Sequence, residues 1–68
     1  MFYAIKVFLT NGDWGYYYAC PSRLDKDLHR GVREFDTYDE CMDFYHGKLS
    51  SMTFNGSSVS SIQVVKCG

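Results

Sequence analysis

Seven of the chain's twelve aromatic residues crowd into its first 18 positions: Phe2, Tyr3, Phe8, Trp14, Tyr16, Tyr17 and Tyr18. They lie on two short segments separated by Asn11-Gly12-Asp13. Asn and Gly tolerate positive φ, so this pair reads as the turn of a β-hairpin. A chain of 68 residues buries only roughly 60% of the surface its unfolded form exposes. One covered sheet face cannot hide so many rings. The aromatic crowding therefore demands a small sheet whose second face is also apolar, and it raises the question of what covers that face.

The first segment alternates Tyr3, Ile5, Val7 and Leu9 against Phe2, Ala4, Lys6 and Phe8. The former set is wholly apolar and is expected to face the core. The latter is mostly apolar too, which suits a central strand or one covered on both sides. In the second segment Tyr16, Tyr18 and Cys20 share one face, Tyr17 and Ala19 the other. Alternation alone does not say which is buried. Pro21 ends that strand, and residues 22–30 read as polar and irregular, with one helical turn around Leu24 to Leu28. A third, edge-type strand is expected at Gly31 to Phe35.

Thr37-Tyr38-Asp39-Glu40 has the form of a capping box, with Asp36 as the competing N-cap. Beyond it Tyr38, Cys41, Met42, Tyr45 and Leu49 repeat at helical spacing, with Asp39, Glu40, Asp43 and His46 opposite. Gly47 is a natural stop. Residues 50–61 carry Asn55-Gly56, either the turn of a second hairpin around Met52-Thr53-Phe54 or part of a long loop. Ile62 to Cys67 reads as the last strand. The expected fold is a single α+β domain spanning residues 1–68. It has a mostly antiparallel sheet of three to four strands in the order β-β-β-α-β, with one helix on one face. If the last strand lies parallel beside the first, the first becomes central.

Composition narrows the function. The net charge of −1 favours neither nucleic acid nor an acidic partner globally. Arg23, Lys26, Arg30 and Arg33 nevertheless hold four of the seven basic residues, with Glu34, Asp36, Asp39, Glu40 and Asp43 just behind. The three cysteines, Cys20, Cys41 and Cys67, are odd in number and widely spaced, which argues against a disulfide scaffold. The start of the chain lacks the charge and length of a secretory leader, and no stretch reaches the ~20 apolar residues of a membrane span. A cytoplasmic chain with reduced thiols is the expectation.

Zinc sites use close pairs of Cys and His, and no two of Cys20, His29, Cys41, His46 and Cys67 form one. Cys41 and His46 point to different helix faces, so no Cys–His nucleophile is expected. No glycine-rich phosphate cradle precedes the helix. The expectation is thus no enzyme, no metal and no cofactor. Two binding readings remain. In the first, Phe2, Phe8, Trp14, Tyr16, Tyr17 and Tyr18 form a protein-binding or self-associating face, since Tyr and Trp dominate interface hot spots. A lone domain of this size fits an accessory protein of a phage or mobile element that binds and modulates a host protein. That expectation rests on size rather than motif. In the alternative, the aromatics stack single-stranded nucleic acid while Arg23, Lys26, Arg30 and Arg33 contact phosphates. A loop over the second face, from residues 21–30 or 50–60, would remove the basis for both.

Overall fold

The computed structural model describes residues 1–68. Five strands and one helix follow in the order β1 (Phe2–Leu9), β2 (Trp14–Tyr18), β3 (Arg23–Asp25), α1 (Tyr38–Gly47), β4 (Thr53–Phe54) and β5 (Ser57–Cys67), with a 3₁₀ turn at Leu49–Ser51. The strands form one antiparallel sheet in the spatial order β3-β2-β1-β5-β4. The α+β class with a single helix is as the sequence implies, with one strand more than expected. β1 is indeed central. Its second neighbour, however, runs antiparallel rather than parallel, with Phe2 opposite Cys67 and Phe8 opposite Ser61.

The third strand is displaced from its expected place. It forms at Arg23–Asp25, where Tyr17 faces Leu24. Residues 33–35 make no edge strand. Instead the sheet opens beyond the Lys6–Tyr16 pair, and this segment enters between β1 and β2. Arg33 N–H donates to the Tyr17 carbonyl at 3.1 Å, and Tyr3 and Phe35 exchange two backbone bonds of 2.8 Å. Gly15 allows β3 to cross β2 closely. A Cβ there would come within 2.8 Å of the Leu24 Cβ.

Both hairpins form. The first closes through Thr10-Asn11-Gly12: Gly12 N–H donates to the Leu9 carbonyl, Leu9 N–H to the Asp13 carbonyl, and only Gly12 takes positive φ. That is a type I turn with a glycine bulge. The second turns on Asn55 (φ 53°) and Gly56 (φ 82°), both left-handed as a two-residue type I′ loop requires.

The helix is capped as the sequence suggests. The Thr37 hydroxyl accepts from Glu40 N–H at 3.1 Å, while Glu40 reaches back to Asp36 N–H at 2.8 Å. Gly47 is its last residue and does not adopt the left-handed stop conformation. The apolar stripe is shifted from the expected one. Tyr38, at the first helical residue, stands 54% exposed. Phe44, absent from the expected stripe, packs against Tyr17 and Phe35 with ring centroids 5.4 Å from each. The core on this side joins Ile5, Val7, Leu9, Tyr17, Phe35, Cys41, Leu49 and Phe54. Ile5 and Leu49 are fully buried, worth roughly 1.5–3 kcal/mol each relative to exposure. No helix is long and apolar enough to cross a membrane.

Candidate functional site

The face of the sheet away from α1 is built in rows by the strand registers. Phe8 stands between Trp14 and Ser61, Lys6 between Tyr16 and Gln63, and Phe2 beside Cys67. The row through Ala4 continues to Val65 on one side. On the same face Tyr16 and Tyr18 continue to Asp25 and Arg23 of β3. The loop that follows β3 folds back over one end of this face. Ala4, Tyr18 and Val32 form a second small core there, flanked by Phe2, Tyr16 and Cys67.

That loop is fastened at Tyr18. Its hydroxyl donates to the Asp27 carbonyl at 2.7 Å and accepts from His29 N–H at 3.0 Å. The His29 ring lies 4.9 Å from the Tyr18 ring. Its two nitrogens meet the Arg30 carbonyl at 2.9 Å and Asp25 Oδ2 at 3.1 Å. A neutral imidazole can donate to only one of these; an imidazolium serves both. The Arg30 carbonyl first, and Asp25 second, raise the His29 pKa above its ordinary value. Asp25 is lowered to about 2 by the Asp27 N–H, with His29 and Arg23 adding to it. Arg23 also bonds Asp25 at 3.1 Å and lies 4.3 Å from the Tyr18 ring.

These contacts sort the candidate residues. Tyr17 is 2% exposed in the helix-side core and Tyr18 1% exposed beneath the loop. Neither can meet a partner, so both leave the candidate set. The aromatic crowding thus has two causes: part of it fills two cores, and part remains accessible. Phe2, Phe8, Trp14 and Tyr16 are half-buried. Trp14 and Tyr16 meet edge to face at 6.0 Å. Lys6 lies 4.2 Å from the Trp14 ring centre and 5.3 Å from that of Phe8. Lys26 lies 4.2 Å from the same indole and bonds Asp13 at 2.6 Å. The Lys26 bond, followed by the Trp14 N–H, lowers the Asp13 pKa.

The four basic candidates do not converge. Arg23 and Lys26 stand beside β3 and Trp14, each with a carboxylate partner. Arg33 lies 4.3 Å from the ring of Phe35, in the helix-side core, and bonds the Glu34 carbonyl. Arg30 is exposed on the covering loop. Two residues that composition did not single out matter as much. Lys6 is the one charge on an otherwise apolar strand face, a signal present in the alternation. His29 fastens the loop, and nothing in its sequence context announced that.

A cleft of about 310 Å³ opens where the curled sheet brings β3 and β4 towards each other, over Leu9, Leu24 and Phe54. The charges at its mouth, Asp13, Arg23 and Lys26, are already paired. Burial, with the nearby Glu40 charge, pushes the Cys41 thiol up and away from thiolate chemistry. No three His, Cys, Asp or Glu side chains gather as metal ligands. No protein-family model, no curated protein and no solved structure matches the chain.

Proposed function

We propose that this chain is a non-enzymatic protein-binding domain whose contact surface is the strip Phe8–Trp14–Lys6–Tyr16, with Phe2 at its far end. The observation that carries the reading is the half-buried state of these rings on a face that neither α1 nor the 26–32 loop closes. Large amphipathic rings held by a rigid sheet lose little entropy on docking, which is why they act as hot spots. Lys6 lies against rings and makes no salt bridge. It favours a partner that sets an acidic side chain within an apolar patch. A small α+β domain of this kind suits an accessory protein that modulates a host protein, as those of phages and mobile elements do.

The nucleic-acid alternative is weakened by two features. Two ammonium groups lie over the indole that a base would stack on. The basic residues meant for phosphates are divided between the two sides of the sheet.

The test is affinity capture from cells that carry the chain, with nuclease added, comparing wild type with Phe8→Ala, Trp14→Ala, Lys6→Glu and the pair Arg30→Ala/Arg33→Ala. The proposal expects one protein retained by wild type and by the arginine pair and lost in the strip variants. Each hot-spot truncation should cost roughly 2 kcal/mol or more. Equal capture by all variants refutes the strip. Nucleic acid held with steep salt dependence supports the alternative.

A further inference from the structure

β5 is eleven residues long, and β4 pairs with only Ser57 and Ser58 of it. Tyr3 spends its N–H and C=O on Phe35, on the β2 side of β1. Backbone groups alternate along a strand, so Phe2, Ala4, Lys6 and Phe8 turn theirs towards β5. Their opposite residues, Cys67, Val65, Gln63 and Ser61, answer them. The groups of Ile62, Val64 and Lys66 therefore point outward, and no backbone bond outside the ladders reaches them. Natural edges are blunted by charge, proline or bulges. The irregularity of β5 lies before this open stretch, at Ser60, and from Ile62 to Lys66 there is no proline and Lys66 is the one charged side chain. Such an edge is a template for another strand.

We infer that this edge pairs with β5 of a second copy of the chain, antiparallel, about a two-fold axis at Val64. The occupant follows from self-complementarity. Centring on Val64 sets Val64 opposite the second copy's Val64, and Ile62 opposite its Lys66, in pairs that exchange two bonds each. Lys66 then meets an apolar residue and lays its stem along it, so no like charges face each other. Ser61 falls opposite the second copy's Cys67, clear of β4. A centre at Gln63 would instead drive Cys67 opposite Val59, alongside β4 at Ser58. The inference uses a different surface from the aromatic strip and stands or falls apart from it.

The register predicts a cross-link. Ser61 and Cys67 lie six residues apart on one strand and cannot join within a chain. Across the axis they form a non-hydrogen-bonded pair with Cα atoms about 4.5 Å apart, within disulfide reach. Ser61→Cys under mild oxidation should give a covalent dimer carrying two disulfides to Cys67. Gln63→Cys, and Ser61→Cys combined with Cys67→Ser, should not give it. Sedimentation equilibrium of wild type should show a dimer. Val64→Pro removes the two bonds on the axis while leaving the β1 ladder, and should give a folded monomer by circular dichroism. If Val64→Pro does not fold, the cross-link still decides. A wild type that stays monomeric at its highest soluble concentration overturns the inference, including the case of an edge reserved for another protein's strand. A dimer that never joins Ser61→Cys to Cys67 overturns the edge pairing as well.

Discussion

Removing one oxygen from Tyr18 should loosen the loop that covers one end of the outer sheet face. In Tyr18→Phe the ring stays, with its packing on Ala4 and Val32 and its contact with the His29 ring. Only the hydroxyl goes, and with it the bonds to the Asp27 carbonyl at 2.7 Å and from His29 N–H at 3.0 Å. A neutral hydrogen bond is worth about 1 kcal/mol net, so two bonds set an upper value of about 2. Asp27 and His29 are exposed, and water can satisfy part of what is lost, which brings the expected cost to between about 1 and 2 kcal/mol. In a domain of this length each kcal/mol lowers Tm by roughly 4–8 °C. A thermal melt should therefore fall by about 4–16 °C. Hydrogen exchange at the His29 amide should rise by more than at β1 amides, because the loop opens before the sheet does. Tyr17→Phe is the control. Its hydroxyl meets only Ser22 at 3.1 Å, so its loss should cost less and leave His29 exchange unchanged. A Tyr18→Phe variant with wild-type Tm and wild-type protection at His29 would show that the loop is held by something else.

The covering loop should also respond to pH. The raised His29 pKa contributes stability that is full below the unfolded value of 6.5 and is lost as pH rises through the folded one. The lowered Asp25 pKa contributes stability present above 3.8 and lost as pH falls towards about 2. Loop protection should thus peak between these limits, with Arg23 opposing and Asp25 favouring the imidazolium; His29→Gln should flatten the alkaline side, and an unchanged profile would refute the fastening. Gly15→Ala should cost about 1–3 kcal/mol by denaturant titration, because its Cβ would meet the Leu24 Cβ at 2.8 Å. Leu49→Ala should cost about 2–5 kcal/mol by the same measurement, since Leu49 is fully buried in the helix-side core; a loss below half a unit of that range would mean that the core closes over the gap.

Much of this fold was legible because local chemistry and global packing agree. Tyr3, Ile5, Val7 and Leu9 alternate cleanly, and that face is the helix-side face. Thr37 and Glu40 cap the helix as their spacing suggests. Asn55-Gly56 forms its two-residue turn. The errors occur where long-range pairing decides. Nothing in Arg23-Leu24-Asp25 looks like a strand, and it becomes one because Gly15 leaves room for Leu24 on β2. Residues 31–35 look more like a strand, yet they are needed as a wedge where β2 parts from β1. The direction of β5 could not be read either, because alternation is the same in parallel and antiparallel pairs.

The candidate site was half legible for a related reason. Aromatic count identifies a surplus, but burial is set by partners distant in sequence. Tyr17 and Tyr18 are neighbours and yet fill different cores, one closed by α1 and one by a loop that His29 fastens. What remains, Phe8, Trp14 and Tyr16 around Lys6, lies on the outer face of the same sheet that ends in the open edge of β5. A two-fold axis normal to the sheet at Val64 would carry that face into a second one on the same side. The two β1 strands would then be separated by both copies of β5, three inter-strand steps of about 4.8 Å. The two aromatic strips would stand farther apart than that on one continuous surface, because Phe8 and its copy are displaced in opposite directions from the axis and Trp14 and Tyr16 lie one strand further out. Partners that engage both strips at once gain avidity without a new contact, so an edge that looks like a liability and a face that looks too apolar make physical sense together.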